Sequence, residues 1–300
     1  MTYSIVARDP ETGEMGVAVQ TAWLNVGAIC PWAEAGVGAV ATQASVRPSH
    51  GPSGLSLMRN GHSAPEALAA VLAADEHREV RQIGMIDRNG QVAAFTGQNT
   101  IRYAGHQTGD NFSVQANMML NDTVPGAMAE VFTQTQGALV LKIMAALEAA
   151  QAAGGDFRGM QSAALKIVSR ELPLNSWEGV LYDLRVDDHT EPLRELRRLV
   201  DRQRAHNMIN DAYLLASGGN VDGALAQFEA AITLDPGEEQ IRFWFPVEMA
   251  DQHGQIERVA PVLRELFKQN PMWIECLRRS TDARPLKTEG MRDQLLALAE

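Results

Sequence analysis

Apolar and polar positions fall into two rhythms along this chain. Residues 2–21 hold two runs rich in β-branched side chains on either side of Asp9-Pro10-Glu11-Thr12-Gly13, which predicts a β-hairpin turning at the Pro and Gly. Residues 26–32 and 36–44 read as two more strands around Ala33-Glu34-Ala35. The second is so rich in Gly and Ala that another backbone or a ligand can approach it closely. A turn-rich loop over 46–54 leads into helices at 55–60 and 64–74, the latter with Ser63 as its N-cap and Pro65 in its first turn. Strands at 81–86 and 91–96 flank the hairpin signal Asn89-Gly90, and 112–117 is another strand. Helical periodicity runs over 124–153, broken at Gly137 and ended by Gly154-Gly155, ahead of strands at 162–168 and 180–186.

Strand groups joined by tight turns, with a helix pair after each of the first two groups, predict antiparallel sheets with helices on their outer faces. From about Glu191 no strand pattern survives. Ala212, Leu215, Gly219, Ala224, Phe228 and Ala231 have the small-and-bulky spacing of a tetratricopeptide unit closing at Leu234-Asp235-Pro236. A looser second copy follows at an offset of about 35 residues, with Gly254 after Gly219 and Asn270-Pro271 after Asp235-Pro236. The expected organisation is one domain over 1–200 and a helical one over 201–300. Phe243-Trp244-Phe245 reads as packing core of the repeats. Two units need a further surface to lean on: the first domain, the last helix over 290–299, or a second copy in a homo-oligomer.

The formal net charge of −11 argues against a nucleic-acid partner, which would need a basic face. No run approaches the roughly 18 apolar residues of a membrane helix, and no signal peptide is visible, so a cytoplasmic protein without membrane attachment is expected. Cys30 and Cys276 lie far apart and show no metal-ligand spacing. Asp187-Asp188-His189 ends a strand, where consecutive side chains point to alternate faces. Asp188 capping a helix over 190–199 is favoured there over a metal site. His50, His62 and His106 read as isolated, solvated loop residues. No cofactor and no metal are expected.

Thr2 follows the initiator Met1 at the head of the first strand, and a small residue there favours Met removal. A free α-amine beside its own hydroxyl is a nucleophile with a built-in base; a Thr that merely starts a strand is the plain alternative. The stretches Thr2-Tyr-Ser-Ile-Val-Ala-Arg-Asp-Pro-Glu-Thr-Gly-Glu14, Pro31-Trp-Ala-Glu-Ala-Gly-Val-Gly-Ala-Val-Ala-Thr-Gln43, Ala93-Ala-Phe-Thr-Gly97, Gly154-Gly-Asp-Phe-Arg-Gly-Met-Gln-Ser-Ala-Ala164 and Leu184-Arg-Val-Asp-Asp-His189 resemble the family called domain of unknown function 1028. The resemblance covers about 1–200. It implies a place in the N-terminal-nucleophile (Ntn) hydrolase superfamily and an α+β fold, a four-layer αββα sandwich similar to proteasome β-subunits, here followed by a small all-α helical-repeat domain. Members often carry a C-terminal segment named for peptidoglycan binding; the tail here is similar to it, but its residues show no carbohydrate signature.

The activity so implied is an amidohydrolase cleaving a small amide or peptide-like substrate through Thr2. The alternative is a silent Ntn-fold scaffold whose repeats bind a protein partner. Thr21 falls near the catalytic aspartate of proteasome-like members, and their lysine has no counterpart near 30–32, the first lysine being Lys142. Gln43 and Ser45 would lie beside Thr2, where the backbone helps hold an oxyanion; a Gln satisfying a strand end is as good a reading. Arg47 would grip a substrate carboxylate, or form a surface ion pair. Asn117 would donate to the oxyanion, or tie down a loop. Asp156, with Ser162, would hydrogen-bond the Thr2 amine, or merely cap a turn.

Overall fold

The computed structural model describes residues 2–175, 178–280 and 286–299. Ten strands and ten α-helices follow in chain order: β1 (Thr2–Arg8), β2 (Met15–Thr21), β3 (Pro31–Glu34), β4 (Gly38–Ala44), α1 (His50–Arg59), α2 (Ala64–Ala73), β5 (Arg81–Asp87), β6 (Val92–Thr96), β7 (Gly105–Gly109), β8 (Phe112–Asn117), α3 (Val124–Gln134), α4 (Leu139–Ala152), β9 (Ser162–Val168), β10 (Val180–Val186), α5 (Pro192–Ser217), α6 (Val221–Leu234), α7 (Glu239–His253), α8 (Ile256–Gln269), α9 (Met272–Ser280) and α10 (Met291–Leu296). The chain divides into two compact units, Met1–Val200 and Asp201–Glu300.

In the first unit β1 and β2 form the expected hairpin, with Thr2 opposite Thr21 and Arg8 opposite Met15. They lie at the centre of an antiparallel six-stranded sheet ordered β10-β9-β2-β1-β8-β7; a second, four-stranded sheet runs β3-β4-β5-β6. Period-two alternation gives each central strand two buried faces. Tyr3, Ile5 and Ala18 pack on Phe132, Ile143, Met144 and Leu147 of α3 and α4. Val6, Val17 and Val19 instead meet Ala39, Ala41 and Ile86 of the other sheet. The outer face of that second sheet, with Val40, Ile83 and Met85, packs on Leu55, Met58, Leu68 and Val71 of α1 and α2. The layers are therefore helix pair, sheet, sheet, helix pair.

Local signals set most boundaries. Ser63 and Glu66 form a reciprocal capping box at the start of α2, with Pro65 in the first turn. Two expectations are corrected and one unread element is added. The apolar stretch 26–32 does not form one strand: Val26–Ala28 is a 3₁₀ turn, entered through Asn25 in the left-handed conformation, and only Pro31–Glu34 pairs. Gly27 there sits against Ala164 and Arg185, so the chain folds onto β9 and β10 instead of extending. Gly105–Gly109 is a strand that its polar His-Gln-Thr centre concealed; it is an edge, pairing only with β8. Asp188 does not cap a helix, because α5 begins at Pro192 and the Asp188 carboxylate accepts the Gln161 amide instead.

In the second unit the helices enclose a core of Ala212, Phe228, Phe243, Phe245 and Leu263. Phe228 stacks on Phe245 with ring centroids 5.0 Å apart, and Phe243 meets Trp273 at 4.6 Å, so the aromatic run is a packing core. Asn220 caps α6 through the Gly223 N–H, and Gly254 closes α7 with a left-handed backbone. Among the described residues no helix is long and apolar enough to cross a membrane.

Ile143 is fully buried beneath the β1–β2 hairpin. Ile143→Ala is expected to destabilise the protein by about 2–5 kcal/mol, from lost apolar burial plus the cavity left behind. Urea unfolding at constant m-value measures it.

Candidate functional site

Polar side chains occupy one end of the layer between the sheets. Thr2, Gln43, Gln82 and Asn117 are all buried there at strand ends, each in the register that points inward. The carbonyl of Thr2 accepts a hydrogen bond from Gln43 Nε2 and another from Asn117 Nδ2, both at 3.3 Å. The same two amides also donate to Gln82 Oε1, at 2.7 and 2.9 Å. Gln82 Nε2 in turn donates to Thr96 Oγ1, the Gly105 carbonyl and the Ala116 carbonyl. Three amides thus lock one peptide carbonyl, in a region where an unpaired polar group would be costly.

Gln43 and Asn117 are therefore brought to Thr2 as expected, but their N–H groups serve Thr2 itself. Gln82 was not foreseen. Its only signal in the sequence is a polar residue inside the otherwise apolar strand Gln82-Ile-Gly-Met-Ile86.

The Thr2 hydroxyl donates to Thr21 Oγ1 at 3.2 Å. Both threonines line a cavity of about 310 Å³, together with Trp23, Val26, Ile29, Cys30, Thr42, Gln43, Ala44, Val46 and Arg158. Burial pushes the Cys30 thiol up to about 12, so it is a neutral wall residue and not a thiolate nucleophile. Ala44 holds a left-handed backbone, φ 69°, where β4 leaves its sheet at the cavity wall.

The remaining candidates support the walls instead of touching Thr2 in the described contacts. Asp156 is buried; its carboxylate accepts the Ala22 N–H at 3.2 Å and the Arg158 N–H at 2.9 Å, and pairs with the Arg158 guanidinium at 3.2 Å. Ser162 Oγ donates to the Trp23 carbonyl at 2.5 Å and accepts the Val26 N–H at 3.1 Å. Both thus fasten the loop after β2, which places Trp23 and Val26. The Ser45 N–H donates to the Val80 carbonyl and its hydroxyl accepts from Arg81 at 3.2 Å, which turns it away from the cavity.

Arg47 is also absent from the cavity wall. Its Nη1 lies 3.2 Å from Asp75, in a cluster with His50 at 3.3 Å and Arg81 at 2.8 Å. His50 is buried, not solvated. Burial holds its imidazole below the usual pKa, helped by the Arg47 and Arg81 charges and opposed by Asp75. The Arg81 hydrogen bond, with the His77 N–H and the nearby cations, pulls Asp75 down to about 2. This cluster braces the 45–49 loop: Arg81 donates to the Ser45 carbonyl, and the Arg47 carbonyl accepts the hydroxyl of Thr42, a cavity-wall residue. Among the described residues no group of three or more His, Cys, Asp or Glu is arranged to hold a metal ion.

Two outcomes follow from these networks. Gln82→Leu leaves the Gln43 and Asn117 amides without their shared acceptor; it should cost about 2–4 kcal/mol in urea unfolding. It should also speed hydrogen exchange at the start of β1 before the rest of the sheet. Asp75 has a folded pKa below its unfolded value of about 3.9, so its stabilisation is fully present above that value and lost as pH falls towards 2. The stability gap between wild type and Asp75→Asn, measured by urea unfolding from pH 5 to pH 2, should narrow by on the order of 2 kcal/mol.

Residues 2–196 match the model of a family of unknown function, DUF1028. The crystal structure of protein SPO2555 from Silicibacter pomeroyi, assigned to the same family model, is similar with a TM-score of 0.61. The two sequences are 32% identical, and the match covers 67% of this chain and 85% of that one. No curated protein matches. With its first unit matched almost end to end, the chain belongs to the DUF1028 family.

Proposed function

We propose that the first unit is an Ntn-type amidohydrolase that cleaves a small amide or peptide-like substrate, with Thr2 as nucleophile once Met1 is removed. Met1 lies outside the described residues. The observation that carries the reading is the treatment of Thr2: its hydroxyl sits on a cavity wall while two side-chain amides clamp its carbonyl. A residue at the chain terminus has no preceding peptide to orient it, and a clamp on its carbonyl supplies that orientation. The helix–sheet–sheet–helix layering is also what an Ntn-type sandwich requires.

In this mechanism Thr2 Oγ1 attacks the carbonyl carbon of the substrate amide while its proton passes to the Thr2 α-amine. Collapse of the tetrahedral adduct breaks the C–N bond; the leaving amine takes that proton, and an acyl ester remains on Thr2. Water then attacks the ester, giving its proton to the α-amine, and the acid leaves as the hydroxyl is restored. The α-amine must be neutral to act as base.

In this reading Thr21, expected near the aspartate of proteasome-like members, accepts the Thr2 hydroxyl and orients it without adding charge. Among the described residues no lysine lines the cavity; Lys142, on α4, lies over the Phe132 ring at 4.9 Å. In this reading the base is tuned by burial instead. We read the second unit as tetratricopeptide-like, its units being the end of α5 with α6 and then α7 with α8, and as a surface for a protein partner.

Intact-mass measurement should find Met1 absent from the purified protein. An electrophile that needs both the hydroxyl and the α-amine of an N-terminal threonine should label wild type at one equivalent and Thr2→Ala not at all. Retention of Met1 on most molecules would sink the Thr2 mechanism and leave the scaffold reading.

A further inference from the structure

The cavity at Thr2 has an uneven lining. Trp23, Val26, Ile29, Cys30 and Val46 make an apolar wall, and Arg158 is the only charged residue lining it among the described residues. Arg158 is held in place: Asp156 accepts its backbone N–H, its Nε at 3.4 Å and its Nη2 at 3.2 Å. The Asp156 charge is in turn shared with the Ala22 N–H. A guanidinium fixed by a buried carboxylate is a preorganised anion receptor, since its planar fork loses little freedom on binding.

The apolar wall also continues outward. Trp23 lines the cavity yet is 63% exposed, so the apolar wall reaches the cavity mouth. A large apolar side chain left this open on a cavity wall offers a ligand an apolar face. A cavity of about 310 Å³ is near the lower end for small-molecule sites, so part of a longer chain would rest on this rim.

We propose that the site takes an N-acyl amino acid: a carboxylate held by Arg158 and an acyl chain laid along Trp23, Val26 and Ile29 and out over the rim. This inference rests on the amidohydrolase reading for the reaction, but its recognition elements stand apart from Thr2. The bond cut would be the amide between acyl chain and amino acid, giving a fatty acid and a free amino acid with water as the co-reactant.

Calorimetric titration of the full-length Thr2→Ala protein with N-acylglycines of six, eight and ten carbons separates binding from turnover. Affinity should rise about three- to fifteenfold for each two methylenes added, according to how fully they are buried. The methyl ester of each ligand should bind about ten- to a hundredfold more weakly than the acid. Arg158→Gln should abolish that acid-over-ester preference while keeping the dependence on chain length, and Arg158→Lys should retain part of it. Absence of binding by the whole series, or an unchanged acid-over-ester ratio in Arg158→Gln, overturns the proposal. If these ligands bind as stated but wild type with a free Thr2 does not hydrolyse them, the binding site stands and the amidohydrolase reading fails. If wild type cleaves neutral short amides as well as the acylglycines, the reaction stands and the substrate class fails.

Discussion

The carbonyl of Thr2 is the point on which this unit turns. It lies between two sheets, and two side-chain amides reach it from different strands. Those amides are held by a third, Gln82, whose own donors are spent on Thr96, Gly105 and Ala116. The head of β1 is thereby fixed by β4, β5 and β8 at once.

The same inter-sheet layer carries a second polar row. Ser4 donates to Gln115 Oε1 at 2.9 Å, and Gln115 bonds Ser113 through its Nε2. The close approach explains Gly84: a Cβ there would lie 2.3 Å from Gln115 Nε2. Buried amide networks of this kind are specific only when complete, and here the amides of Gln43, Gln82, Asn117 and Gln115 are all paired. The cavity walls follow a similar logic. Asp156 and Ser162 fasten one loop, and the cluster of Asp75, Arg81, Arg47 and His50 braces another. Loops carry the walls, and buried polar contacts make those loops rigid.

Much of this was visible in the residues. The Pro-Gly turn of the first hairpin, the Asn89-Gly90 turn, the Ser63 cap and the break at Gly137 are local chemical signals, and each stands where it was read. Thr2, Thr21, Gln43 and Asn117 do converge. For Arg47 and Asp156 the plainer readings hold, an ion pair with Asp75 and a cap on the Arg158 N–H; the bonding of Ser45 and Ser162 was not legible, because a side chain near a site in sequence can bond the loop beneath it as readily as a ligand. Arg158 went unremarked for a like reason: nothing local distinguishes an Arg on a cavity wall from one on the surface. His50 read as solvated because its burial depends on Asp75 and Arg81, distant along the chain.

β8 shows the division most clearly. Phe112-Ser-Val-Gln-Ala-Asn117 alternates apolar and polar residues, and by itself the sequence determined a strand with two unlike faces. It also determined the turns, the Ser63 cap and the helical tail, since these depend on backbone preferences a few residues long. Whether Ser113, Gln115 and Asn117 faced water or a second sheet was decided only by the tertiary structure. Packing the four-stranded sheet over them converted a solvated face into a buried one, and every amide in it then required a partner. The hydroxyl of Thr2 was present in the sequence; the clamp and the cavity around it exist only because distant strands bring their ends together.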